Sequence, residues 1–150
     1  MQRIIPIFLI SQLTTANAFA ACPKGSTTLF FCATTSGKQI ELCDVGKSIS
    51  YSFGKTGKPE IALSVPRAQA STSQWNGMGR SISYSVDVPN GNAVYSVYFS
   101  ADRLSEEHPV DAGVAVTIKG KHAATVKCSQ KSIDKGLINN MEGVDLKPTE

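Results

Sequence analysis

The chain has 150 residues, with 15 Lys and Arg against 12 Asp and Glu and a formal net charge of +3. The basic residues stand mostly singly, and no Arg/Lys block or series of stacking aromatics accompanies them, so nucleic-acid binding has little support. A weakly basic surface of this kind is compatible with many partners and diagnostic of none.

Residues 1–20 have the three parts of an export signal: a cationic start at Arg3, an apolar stretch from Ile4 to Ile10, and small residues at Ala16, Ala18 and Ala20. The segment is too short, and too polar after Ile10, to serve as a permanent membrane anchor, so no membrane span is expected. Cleavage after Ala20 is expected, with cleavage after Ala18 as the rival. Ala20-Ala21-Cys22 also fits the end of a lipobox, with Phe19 where Leu is usual. Lipidation of Cys22 would leave three cysteines and an unpaired thiol, which favours a soluble mature protein in the periplasm or secreted.

The remaining chain, roughly 130 residues, suits one domain with one core. It divides into a β-domain over residues 21–128 and a C-terminal tail over residues 129–150. Cys22, Cys32, Cys43 and Cys128 form an even set in an oxidising compartment, which points to two disulfides. Their spacing contains no C-x-x-C pair and no nearby His, so neither a zinc site nor any other metal or cofactor is expected. Two pairings are open. Cys32 can join Cys43 across a hairpin with Cys22 to Cys128, or Cys32 can join Cys128 with Cys22 to Cys43.

Along the domain, apolar residues recur at every second position, which places them on one face of a pleated strand. After the run Leu29 to Cys32 come Ile40 and Leu42; Ile49, Tyr51 and Phe53; Ile61, Leu63 and Val65; Ile82, Tyr84, Val86 and Val88; Tyr95, Val97 and Phe99; Val114, Val116 and Ile118; and Ala124, Val126 and Cys128. The turns between them are short, and Asn90-Gly91 is the strongest hairpin signal, with residues suited to a type I′ turn. Gly37, Gly46 and Gly120 punctuate other strand pairs. The fold class expected is all-β: a single antiparallel barrel or sandwich of about eight short strands, stabilised by disulfides.

Two segments break the alternation: Pro66 to Arg80, and the charged stretch Ala101 to Gly113. Loops of this length in a compact domain commonly bind something or move. The first contains Trp75, the sole tryptophan, with Met78 and Arg80 among glycines. Trp and Arg are enriched at binding hot spots, and glycines allow close backbone approach, so Trp75, Met78 and Arg80 are candidate binding residues. The competing reading folds Trp75 inward to cap the open end of a barrel. In the second segment His108 lies among Glu106, Glu107 and Asp111 and joins the candidate binding set. A base with an orienting carboxylate would use the same residues, yet no serine sits in a nucleophile elbow and the cysteines are better used as bridges. The acidic residues Asp102, Glu106, Glu107 and Asp111 match no calcium-loop spacing. Residues after Cys128 lose the alternation, with a helical turn expected near Ile133 to Met141.

Phe30-Phe31-Cys32 followed by Gly37-Lys38-Gln39-Ile40-Glu41-Leu42 resembles the opening of the small exported β-barrels that inhibit C-type lysozyme. The resemblance covers the first third of the mature chain. It implies an exported binding barrel that blocks a lysozyme-like enzyme with a loop. The family's inhibitory motifs, Ser-Gly-x-x-Tyr and Tyr-x-x-x-Thr-Lys-Gly, are not matched by Gly79 to Tyr84 or Thr117 to Gly120, so no residue role is carried over. The expectation for function is a non-enzymatic exported binding protein with a protein partner, an inhibitor or immunity-type protein masking an envelope-attacking enzyme such as lysozyme. A structural or accessory envelope protein is the alternative, and a hydrolase with an unseen catalytic group is a third reading.

Overall fold

The computed structural model describes residues 22–150, so the export signal read at residues 1–20 lies outside the described residues. In chain order the strands are β1 (Thr27–Ala33), β2 (Gln39–Asp44), β3 (Ser48–Lys55), β4 (Lys58–Pro66), β5 (Ser71–Gln74), β6 (Ser81–Asn90), β7 (Ala93–Asp102), β8 (Val110–Ile118) and β9 (Lys121–Lys127). A short helix α1 (Gln130–Lys135) and two-residue strands β10 (Ile138–Asn139) and β11 (Lys147–Pro148) follow. They form a five-stranded sheet in the order β10-β1-β2-β3-β4 and a six-stranded sheet in the order β11-β5-β6-β7-β8-β9. The all-β, disulfide-stabilised class holds. Of the two architectures expected, the chain adopts the sandwich: the sheets remain separate and do not close into a barrel.

Most of the alternating residues face each other across the two sheets, whereas Ile118 at the end of β8 and Ala124 of β9 are exposed. Phe30, Ile40, Leu42, Ile49 and Tyr51 from the first sheet and Val86, Val88, Val97 and Val114 from the second are buried. Tyr51 in the middle of β3 stacks on Tyr95 near the start of β7, ring centroids 5.2 Å apart, so the sheets meet through an aromatic pair.

The ends of the sheets are joined by contacts distant in sequence. At the start of β1, Asn140 donates to the carbonyls of Leu29 (2.7 Å) and Thr28 (2.9 Å), while the next residue, Met141, accepts from Gln74 at the end of β5. At the far end of β1, Thr34 bridges Cys128, the residue after β9, and Cys32 is disulfide-bonded to that same Cys128. Strands β5 and β9 therefore end at opposite ends of β1. The six-stranded sheet crosses the first rather than running along it.

The turns differ from the sequence reading in one respect. The β6–β7 turn places Gly91-Asn92 at its tip with positive φ at Gly91 alone, the pattern of a II′ turn. The type I′ pattern, with both central residues at positive φ, falls instead at Lys119-Gly120 between β8 and β9 (φ 51° and 74°).

Three strands lie where the sequence reading had none. β5 sits inside the stretch read as the Pro66 to Arg80 loop, and β10 and β11 lie in the segment read as a tail. That segment packs onto the body of the domain: Met141 is fully buried, and Ile133, Leu137, Val144 and Leu146 pack against the core. Arg67 fixes it from the other side, with Nε donating to the Asp145 carbonyl (3.0 Å) and Nη1 paired with Asp44 (2.7 Å). The helix spans Gln130–Lys135 rather than the Ile133 to Met141 region, because Ser129 caps it by accepting from the Ser132 N–H and Gly136 ends it. Among the described residues no helix is long and apolar enough to cross a membrane.

Candidate functional site

The two irregular loops meet. Strands β6 and β7 pair from Asn90↔Ala93 to Ser81↔Asp102, so the loop entering β6 and the loop leaving β7 emerge side by side. Their backbones are tied: the Arg103 N–H donates to the Arg80 carbonyl at 3.0 Å, and Arg103 Nε donates to the Gly79 carbonyl at 2.7 Å.

Asp102 organises both loops. Its Oδ2 pairs with Arg80 Nε at 2.7 Å, and its Oδ1 accepts from the N–H groups of Leu104 (2.9 Å) and Ser105 (3.1 Å). Desolvation works to raise the Asp102 pKa, but the two backbone donors and Arg80 together outweigh it and hold the carboxyl below its ordinary value. The loop is thus wrapped around an ionised carboxylate. On the facing loop Trp75 Nε1 donates to the Met78 carbonyl at 2.8 Å, the Met78 N–H donates to Asn76 Oδ1 at 3.1 Å, and the Arg103 guanidinium lies 5.5 Å from the centre of the Trp75 ring. Gly77 and Gly79 take φ of 86° and 88°, a region that admits glycine without strain, and this lets so short a loop fold back on itself.

All four candidate residues fall at this end. Trp75 is half-buried: it packs against the core, and its Nε1 is held by the Met78 carbonyl of its own loop; because the sheets do not close into a barrel, it has no open barrel end to cap. Met78 is 70% exposed, and the Arg80 side chain is 65% exposed beyond its ion pair. His108 takes a φ of 45°, and its Nδ1 lies 3.1 Å from the Asp102 carbonyl, so the ring is directed at backbone rather than at Glu106, Glu107 or Asp111. Asp111 turns away from the loop to the outer face of the six-stranded sheet, where it accepts from the Tyr98 hydroxyl at 3.2 Å and pairs with Lys127 at 3.1 Å.

Two residues that the sequence reading did not single out belong to the same loop end: Arg103, which bridges the loops, and Leu104, the next residue, which is 63% exposed. The signal available for Leu104 was an isolated large apolar side chain in an otherwise charged run, Asp102 to Glu107. The surface grooves beside β5 and β11, and between β1 and α1, do not include these residues. The loop end offers protruding side chains on a fixed backbone.

The cysteines adopt the second of the two open pairings, Cys22 to Cys43 and Cys32 to Cys128, and no free cysteine exists among the described residues. Among the described residues the one close group of possible metal ligands is Cys22, Glu41 and Cys43, and its two sulfurs are already bonded to each other. Comparison with known protein families, curated protein sequences and solved structures finds no match.

Proposed function

We propose that this is an exported binding protein that engages a protein partner through its Trp75–Arg80 and Arg103–His108 loops, as an inhibitor or immunity-type protein masking an envelope-attacking enzyme such as lysozyme. The observation that supports this reading is that two exposed apolar side chains, Met78 and Leu104, stand on two loops tied to each other through Asp102 and Arg103. Exposed apolar side chains on a rigid rim cost little ordering entropy on association, which is the condition for a productive binding surface. Two disulfides and an export-type leader agree with a site of action outside the cytoplasm.

The test is direct. Mature protein titrated into a lysozyme lysis assay should inhibit it, and the double substitution Met78→Ser with Leu104→Ser should weaken inhibition about tenfold or more, about 1.4 kcal/mol, while leaving the melting temperature nearly unchanged. Absence of inhibition removes lysozyme as the target. If, in addition, the double variant and the wild type capture the same proteins from envelope extract, the loop end is not the binding surface, and an accessory envelope role takes its place.

A further inference from the structure

Strand β2 is buried on both faces. Ile40 and Leu42 point into the sandwich, while Glu41 and Cys43 point outward and are nonetheless 7% and 3% exposed. The outward pair is covered where the chain segment starting at Cys22 is bonded to Cys43, and ligand atoms of Cys22, Glu41 and Cys43 all lie within 4.8 Å of one another. Glu41 faces Phe31 of β1 and Ser52 of β3, neither of which carries charge. Within the covering segment, residues 22–26, Lys24 is the one charged residue, and among the described residues no hydrogen bond or ion pair engages the Glu41 carboxyl. A buried carboxyl with no cation beside it favours its protonated form, and burial accordingly raises the Glu41 pKa above its ordinary value.

The two disulfides differ in what surrounds them. Cys32 and Cys128 are both buried, and among the described residues no carboxylate or imidazole sits within ligand distance of them. In the other bridge Cys22 is partly exposed, Cys43 is enclosed, and an acid stands beside both sulfurs. Disulfide exchange needs an accessible sulfur for the incoming thiolate and a means of stabilising the departing one.

We propose that Cys22–Cys43 is an exchangeable disulfide: a thiol partner attacks Cys22, and Glu41 is the proton donor to Cys43 as it leaves. In the first step the partner's thiolate bonds to Cys22 Sγ, the Cys22–Cys43 bond breaks, and its electron pair goes to Cys43 Sγ, which takes the Glu41 proton. In the second step a further thiol of the partner loses its proton to the Glu41 carboxylate and attacks the mixed disulfide. The partner is released as its own disulfide, and the electron pair on Cys22 Sγ takes a proton from solvent. Two thiols are oxidised to one disulfide, and Cys22 and Cys43 are reduced to thiols. The segment at residues 22–26 is then free to leave the face of β2, while Cys32–Cys128 keeps the sandwich closed. This site is independent of the loop end, and its partner class is a thiol or dithiol.

The experiment uses reduced glutathione as the probe on native mature protein, with acid quenching, alkylation and peptide mass mapping over a pH series. The expected result is glutathione on Cys22 first, then alkylated Cys22 and Cys43, with Cys32–Cys128 intact. Glu41→Gln, nearly the same size, should slow the exchange about tenfold at the acidic end and alter the pH profile that remains after correction for the thiolate fraction of glutathione. Adducts on Cys43, loss of both disulfides together, or a Glu41→Gln rate profile equal to wild type would overturn the proposal. The wild-type mapping decides the first two outcomes without any variant having to fold.

Discussion

Met141→Ala measures how far the last residues belong to the core. The side chain is fully buried, its carbonyl accepts from Gln74 Nε2 at 2.9 Å, and it lies in a stretch whose sequence carries no strand alternation. Truncation to Ala removes three heavy atoms from a closed site, and such changes cost about 2 to 4 kcal/mol once the residual cavity is included. For a domain of this size that corresponds to a fall of about 8 to 15 °C in the melting temperature. Met141→Leu, which nearly conserves volume, should cost less than about 1.5 kcal/mol. Thermal unfolding followed by circular dichroism reads both. An alanine variant melting within about 2 °C of wild type would refute the assignment of residues after α1 to the folded body.

The disulfides should contribute unequally, because Cys32–Cys128 spans 96 residues and Cys22–Cys43 spans 21. In the loop-entropy account, replacing both cysteines of the first pair with Ala should cost about 4.7 kcal/mol and of the second about 3.3 kcal/mol, and denaturant titration showing the reverse order would count against that account. The Asp44–Arg67 pair makes stability depend on pH. Burial works to raise the Asp44 pKa, but the Arg67 hydrogen bond, the Gly46 N–H and the Arg67 charge together hold it below its ordinary 3.8. A carboxyl with a depressed folded pKa adds stability above its unfolded pKa and loses that contribution as pH falls through the folded value. Arg67→Met should therefore melt lower than wild type at pH 6, with the gap narrowing below about pH 3 to what the pH-independent Arg67 bonds to the Asp145 and Gly46 carbonyls contribute; a gap constant across that range would rule the ion pair out as its origin.

Eight strands, β1 to β4 and β6 to β9, were legible from apolar runs or apolar residues at alternate positions, and burial on one face is what that spacing reports, although β9 is exposed except at the partly buried Val126. β5 was not, since Ser71-Thr72-Ser73-Gln74 has no apolar residue; it is held by a polar contact, the Thr72 hydroxyl donating to the Ser85 carbonyl at 2.7 Å, and by the Gln74 clamp. Ile133, Leu137 and Met141 recur every fourth residue, which reads as a helical face. Gly136 stops α1 after six residues, short of two turns, and the later two side chains reach the core from non-helical chain. The candidate loops were found by their departure from alternation, but the ion pair that joins them is not a local property. Arg80 and Asp102 are 22 residues apart and meet only through the β6–β7 register.

The same long-range logic governs how rigid the loop end is. Trp75 follows directly on Gln74, whose amide makes three hydrogen bonds: Nε2 donates to Thr72 Oγ1 and to the Met141 carbonyl, and Oε1 accepts from the Gly143 N–H. One side of the loop is therefore anchored by the C-terminal segment and the other by Asp102 at the end of β7. A surface that binds by protruding side chains gains affinity only to the extent that its backbone is fixed beforehand. In this chain part of that fixing is supplied by Met141 and Gly143, which touch none of Met78, Arg80, Arg103 or Leu104 by hydrogen bond, so disturbance of the C-terminal segment acts on the candidate site through Gln74.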